Sequence, residues 1–255
     1  MQLQKLVRRA ATPALQVLAL ACAASAAAAQ GTTPATTQEG RTGGPAAGNA
    51  SRAQSAAIRH VTNSTDVVRR MVSETGMSRL LAQARGIFIL PAYGRAALGL
   101  GASGGAGVLS VRRSDGTWSE PAFFNQGGLS IGAQAGAEGG PIALVLNNDK
   151  AVDRFRQKNS FSLNADAGLT VVNWARIAQG SAGAGDVTAW AGTKGLFGNV
   201  ATVGLSDIRF NQRATQAYYG QPFTVQDILD GKASNPHSVP LRQALAAASG
   251  GGAAK

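Results

Sequence analysis

The sequence predicts an α+β fold: a glycine-rich, mostly antiparallel, strongly curved sheet, built as a small barrel or sandwich, with short helices packed at its amino- and carboxyl-terminal sides. Two observations predict it. From Ile87 to Phe210 small and aliphatic residues alternate in long runs, the period-two signature of strands. The segments before and after those runs carry apolar residues at helical spacing instead.

The elements follow in order. Lys5, Arg8 and Arg9 precede a mostly apolar run, Ala10 to Ala24, and small residues lead to Ala27-Ala28-Ala29. A positive start, a short apolar core and a small-residue cleavage site describe a secretory signal over residues 1–29. The protein is therefore expected to be exported, periplasmic or secreted. Cys22 is the single cysteine. Cleavage after Ala29 removes it, and with it disulfides and thiolate chemistry. Cys22 also makes a lipoprotein anchor conceivable, but Ala19 stands where such a signal prefers a larger aliphatic residue. Arg8-Arg9 is too unspecific to separate twin-arginine from general export.

Residues 30–50 are rich in Thr, Gly, Pro and Ala and are expected to be a disordered spacer. The same holds for the tail, residues 249–255. One domain, residues 51–248, lies between. Val67, Val68, Met71 and Val72 predict a helix over 65–74, and Leu80, Leu81 and Ala84 a short second one that Ser78 caps and Gly86 stops. Ile87 to Leu90 reads as a strand ended by Pro91.

Alternating runs at 96–112, 117–124, 128–146, 160–172, 187–193 and 196–210 supply the remaining strands. Ser114-Asp115-Gly116-Thr117 joins two of them as a hairpin turn. A helix is expected from Asp149 to Lys158. Thr224 with Asp227 reads as a capping pair opening another, which Gly231 stops. A last helix spans Leu241 to Ala248. Trp118, Phe123, Phe124 and Trp190 are assigned to the core, because Gly/Ala strands need large residues to fill volume.

The formal net charge is +11 and falls to +8 once the three basic residues of the signal are removed. Such an excess attracts anionic partners. Export disfavours nucleic acid and favours acidic lipid or other envelope components.

Enzyme motifs fare poorly. Gly99 to Gly104 fits G-x-G-x-x-G, yet strand-like sequence follows where a phosphate-cradling helix is required. Gly128-Leu129-Ser130-Ile131-Gly132 fits a hydrolase elbow, with His237 and either Asp186 or Asp207 downstream. Ser130, however, sits within continuing alternation, so a serine hydrolase is only the remotest alternative. His60 and His237 lack companions at metal-ligand spacing. No cofactor is expected.

Several segments together resemble the SYLF domain family. They are LLAQARGIFILP (80–91), GLGASGGAGVLSVR (99–112), DGTWSEPAFF (115–124), SIGAQAGAE (130–138), VLNN (145–148), TKGLFGNVATVG (193–204) and AYYG (217–220). The resemblance implies a non-enzymatic module that binds anionic, phosphoinositide-type or other acidic phospholipid, and in some eukaryotic members actin. Export makes actin an unexpected partner here. The residues expected to meet lipid phosphates are Arg69, Arg70, Arg79, Arg85 and Lys194. The rival reading is a structural or protein-interaction module of the cell envelope with no specific lipid ligand.

Overall fold

The computed structural model describes residues 45–157, 160–163, 168–193 and 205–250. The expected export signal, Cys22, most of the expected spacer, Lys194 and the last five residues lie outside these. The chain opens with α1 (Pro45–Val72) and α2 (Met77–Gln83), then two long strands, β1 (Gly86–Val111) and β2 (Ala122–Leu146). Next come α3 (Asp149–Gln157), β3 (Ser160–Leu163), β4 (Val171–Asn173), α4 (Trp174–Ala178), β5 (Val187–Ala191) and β6 (Leu205–Phe210). The chain closes with α5 (Gln212–Tyr219), α6 (Val225–Leu229), a 3-10 turn (Pro236–Ser238) and α7 (Val239–Gly250). This is the α+β class with a mostly antiparallel, curled sheet that the sequence predicts.

β2 is the central strand. It pairs with β1 along nearly its whole length, from Gly86–Leu146 to Leu109–Ala122. On its other side it pairs with β5 through residues 142–146 and with β6 through residues 124–126. β3 extends the β6 side, and β4 joins β5 as the one parallel pair among the described strands. The β1–β2 ribbon doubles back on itself. A Cβ added at Gly107, near the end of β1, would lie 2.5 Å from the carbonyl oxygen of Ile89, near its start. At Gly105 it would lie 3.0 Å from the Ala92 carbonyl. Only glycine permits so close an approach of two backbones.

Side-chain alternation divides the core between the two sheet faces. Phe88, Leu90, Phe124, Leu144 and Val187 point to one face. There they meet Val152 and Phe155 of α3 and Ile228 and Leu229 of α6. Five phenylalanines interlock on this side, with ring centroids 5.2 Å apart for Phe88–Phe155, 4.8 Å for Phe155–Phe161 and 5.6 Å for Phe124–Phe210. Ile87, Ile89, Phe123, Val145 and Trp190 point to the other face, under α1, α2 and α7. Trp118, Phe123, Phe124 and Trp190 are all at most 2 % exposed, so their assignment to the core holds.

Four local expectations are corrected. α1 runs 28 residues from Pro45, beginning inside the expected spacer. Pro91 does not end its strand; β1 continues through it, and a register shift between Leu90 and Tyr93 absorbs the missing donor. Residues 117–121 form a connection rather than a strand, with Arg112 and Trp118 making an isolated bridge. α2 has Gly76, in the left-handed region at φ 88°, before its first turn and no side-chain cap from Ser78. By contrast, the hairpin turn at Asp115-Gly116 and the Thr224–Asp227 capping box both form as read.

Candidate lipid-facing surface

α1 is helical because alanines dominate its first half and leave no side-chain entropy to lose. It is fixed because Ala57, Val61, Val68 and Met71, at helical spacing, are buried on the sheet. Ser64 and Thr65 lie in the same buried strip. Their hydroxyls donate back to the carbonyls of His60 (2.7 Å) and Val61 (3.0 Å), so no buried polar group is left bare there.

The opposite face carries charge. Arg52, Arg59 and Arg70 are exposed, and their spacings of seven and eleven residues place them within about 20° of one line along the helix. Arg52 and Arg59 form no ion pair among the described residues. No acidic residue occurs in α1 before Asp66, and Arg69 pairs with Asp66 at 3.1 Å, cancelling the single negative charge near the line. Arg69 and Arg70 also sit in the last turn, where positive charge complements the helix dipole.

The five residues expected at the site separate into different roles. Arg69 neutralises Asp66. Arg70 continues the arginine line, and its guanidinium donates to the Gly192 carbonyl, tying α1 to the end of β5. Arg79 is exposed on α2. Arg85 is exposed on the entry to β1, where its backbone is held by bonds to Leu146 and Arg112. Lys194 lies outside the described residues. Arg52 and Arg59 escaped the sequence reading because they fall between the expected spacer, residues 30–50, and the first expected helix, which begins at Thr65. The seven-residue repeat of Arg52, Arg59 and Asp66 beside Ala57, Val61 and Val68 is the signal that could have found them.

Two polar clusters hold the helices beneath this surface. Glu74, just after α1, accepts from the indole nitrogens of Trp174 (2.6 Å) and Trp190 (2.6 Å). The second cluster joins WSEP (118–121) to the tyrosine pair and α7. Trp118 Nε1 donates to Ser249 Oγ at 3.1 Å, and Tyr219 donates to the Pro121 carbonyl at 2.7 Å. Glu120, 4 % exposed, lies 3.4 Å from Arg242 Nε. Burial pushes its carboxyl above the ordinary range, against the opposing pull of Ser238 and Arg242. Burial and then the charge of Glu120 push the Tyr218 and Tyr219 phenols far above theirs, so both stay protonated, and Tyr219 is the one that donates.

The hydrolase arrangement is not assembled. Ser130 lies within β2, paired with Gly101, with no strand–turn–helix elbow. Asp186 accepts from the Thr170 amide and Asn148, Asp207 accepts from Arg209 and Ser160, and His237 sits in the 3-10 turn. Among the described residues no group of three or more His, Cys, Asp or Glu could hold a metal ion. None of the described helices is long and apolar enough to cross a membrane.

Residues 127–248, from β2 to α7, match the family described as Ysc84, Las17-binding protein actin regulator. Over these residues the sequence matches the SYLF domain of the Ysc84 family. The domain is 29 % identical over 172 residues to protein YSC84 of Saccharomyces cerevisiae, covering 65 % of this chain and 36 % of that one. It is equally similar to LAS seventeen-binding protein 3 of the same organism, over 65 % of this chain and 37 % of the relative. With SH3 domain-containing YSC84-like protein 1 of Homo sapiens it shares 28 % identity over 162 residues, 62 % of this chain and 47 % of the relative. The chain thus spans a third to a half of these relatives' lengths. No solved structure matches it. The family description names a Las17-binding actin regulator, and one of these relatives is named for binding LAS seventeen. The arginine line of α1 lies outside the residues matched to the family.

Proposed function

We propose that this SYLF domain is a non-enzymatic module that binds anionic phospholipid surfaces outside the cytoplasm, through the outer face of α1. The observation that carries the reading is the row of Arg52, Arg59 and Arg70, with Asp66 already neutralised by Arg69. Guanidinium groups pair well with phosphate oxygens, and about 1 kcal/mol per basic residue near an anionic membrane is enough to hold a domain reversibly. Arg79 and Arg85, exposed on the next turn of chain, are the further contacts proposed; Lys194 belongs to the same set. The proposed location rests on the export signal expected over residues 1–29.

A second reading is favoured by the relatives' names, which include Las17-binding and SH3 domain-containing proteins: the same face would then take an acidic protein segment. Actin enters through the family description, and its dismissal here rests on the export signal alone. Flotation of the full chain with neutral vesicles and with vesicles rich in acidic phospholipid tests the proposal. Co-flotation with acidic vesicles, reversed by salt, is expected. Equal behaviour with both vesicle types sinks it and favours the protein-binding reading.

A further inference from the structure

A second potential binding place lies on the other flank of α1, between that helix, the sheet and α5. Near residue 57 the strip of α1 that faces the core changes character. Val61, Val68 and Met71 fill the interface further along, but Ala53, Ala56 and Ala57 do not, and Gly107 faces them from β1. The shortfall leaves an apolar crevice of about 190 Å³ floored by Phe123. A larger groove of about 810 Å³, lined by Asn49, Gln54, Gln216 and other polar or small residues, runs on from it.

Ala53 and Arg213 line both spaces, so Arg213 marks where one opens into the other. Arg213 is exposed and forms neither an ion pair nor a hydrogen bond among the described residues, and no acidic side chain lines either space. Of the other polar residues lining the crevice, Asn211 is occupied, its side chain accepting from the Ala214 amide and donating to Asn125. Burial together with the charge of Arg59 lowers the pKa of the His60 imidazole, which favours its neutral form. The charge waiting at this opening is therefore a single guanidinium.

We propose that this crevice binds the tail of a medium-chain fatty acid, with its carboxylate on Arg213. The size fits: a dry apolar cavity of about 150 Å³ accepts benzene, so 190 Å³ takes about six or seven carbons of one chain, not two chains. The head group fits as well. One guanidinium fork matches one carboxylate in charge and geometry, whereas a phosphate monoester would keep an unbalanced charge. The site is separate from the arginine line, since neither Arg52 nor Arg59 lines it.

Calorimetric titration of the full chain with octanoate, acetate and 1-octanol tests this. Octanoate is expected to bind one to one with a Kd of about 1 mM or tighter, the range such a small ligand can reach. Acetate should show no binding and octanol about tenfold weaker binding, for want of the charge-assisted contact. Arg213→Gln should weaken octanoate about tenfold and leave octanol unchanged. Ala53→Leu should abolish binding of both. The proposal is overturned if octanoate fails to saturate the wild-type chain. It is equally overturned if Arg213→Gln, which disturbs no packing, binds octanoate as the wild type does. Vesicle flotation of the same variants reads the α1 arginine face separately.

Discussion

Replacing Glu74 by alanine tests how the carboxyl end of α1 is held. Glu74 spends one carboxylate oxygen on Trp190 and the other on Trp174, each at 2.6 Å, and the two indoles are 1 % and 4 % exposed. Truncation leaves two buried N–H donors without an acceptor. Each such loss costs about 1–3 kcal/mol, and because one residue serves both, the joint cost is about 3 kcal/mol. For a domain of this size that lowers Tm by about 6–12 °C. Glu74→Gln keeps one carbonyl acceptor and turns an NH2 group toward the other indole, so it should recover only about half the loss. Urea unfolding followed by tryptophan fluorescence reads both variants, with the midpoint falling and the slope unchanged. A Glu74→Ala protein within about 0.5 kcal/mol of wild type would refute the clamp.

Two other perturbations probe the fold more simply. Gly107→Ala would place a methyl group 2.5 Å from the Ile89 carbonyl oxygen and 2.9 Å from the Phe88 ring, and should cost about 1–3 kcal/mol or more by thermal melting; a neutral result would mean that the ribbon does not double back so tightly. Glu120 has its carboxyl raised in the folded state by burial, so its contribution is present at acid pH and lost as pH rises through the folded value; the stability of the wild type relative to Glu120→Gln should fall as pH rises from about 4, whereas a difference independent of pH would contradict the assignment.

Much of the architecture was legible because it rests on local rules. Thr224 and Asp227 form a reciprocal cap whatever surrounds them, and Asp115-Gly116 turns the hairpin through Gly116 at φ 81°. Alternation in Ile87 to Leu90 correctly sends neighbours to opposite faces. What escaped depends on partners distant in sequence. The first half of α1 has mainly alanine on its buried side, so its periodicity is faint until the sheet is placed beneath it. Pro91 reads as a strand end, since nothing local announces a bulge that tolerates it. α5 hides its helical pattern because Thr215 and Tyr218, its buried residues, are not aliphatic.

The site was legible to a smaller degree. Positive charge pointed to an anionic partner, and Arg70 does lie on the arginine line. Sequence proximity alone could not reveal that Arg69 would be spent on Asp66, nor that Arg52 and Arg59, distant in sequence, would align with Arg70 on a single continuous helix.

That line is the centre of the functional account. The most direct measurement is partitioning of the full chain and its Arg52→Gln/Arg59→Gln variant onto vesicles of acidic phospholipid at low salt. At about 1 kcal/mol for each arginine, the variant should bind about 30-fold more weakly while its circular dichroism and Tm stay those of the wild type. Equal partitioning of the two proteins would contradict the account and move the membrane contact away from α1.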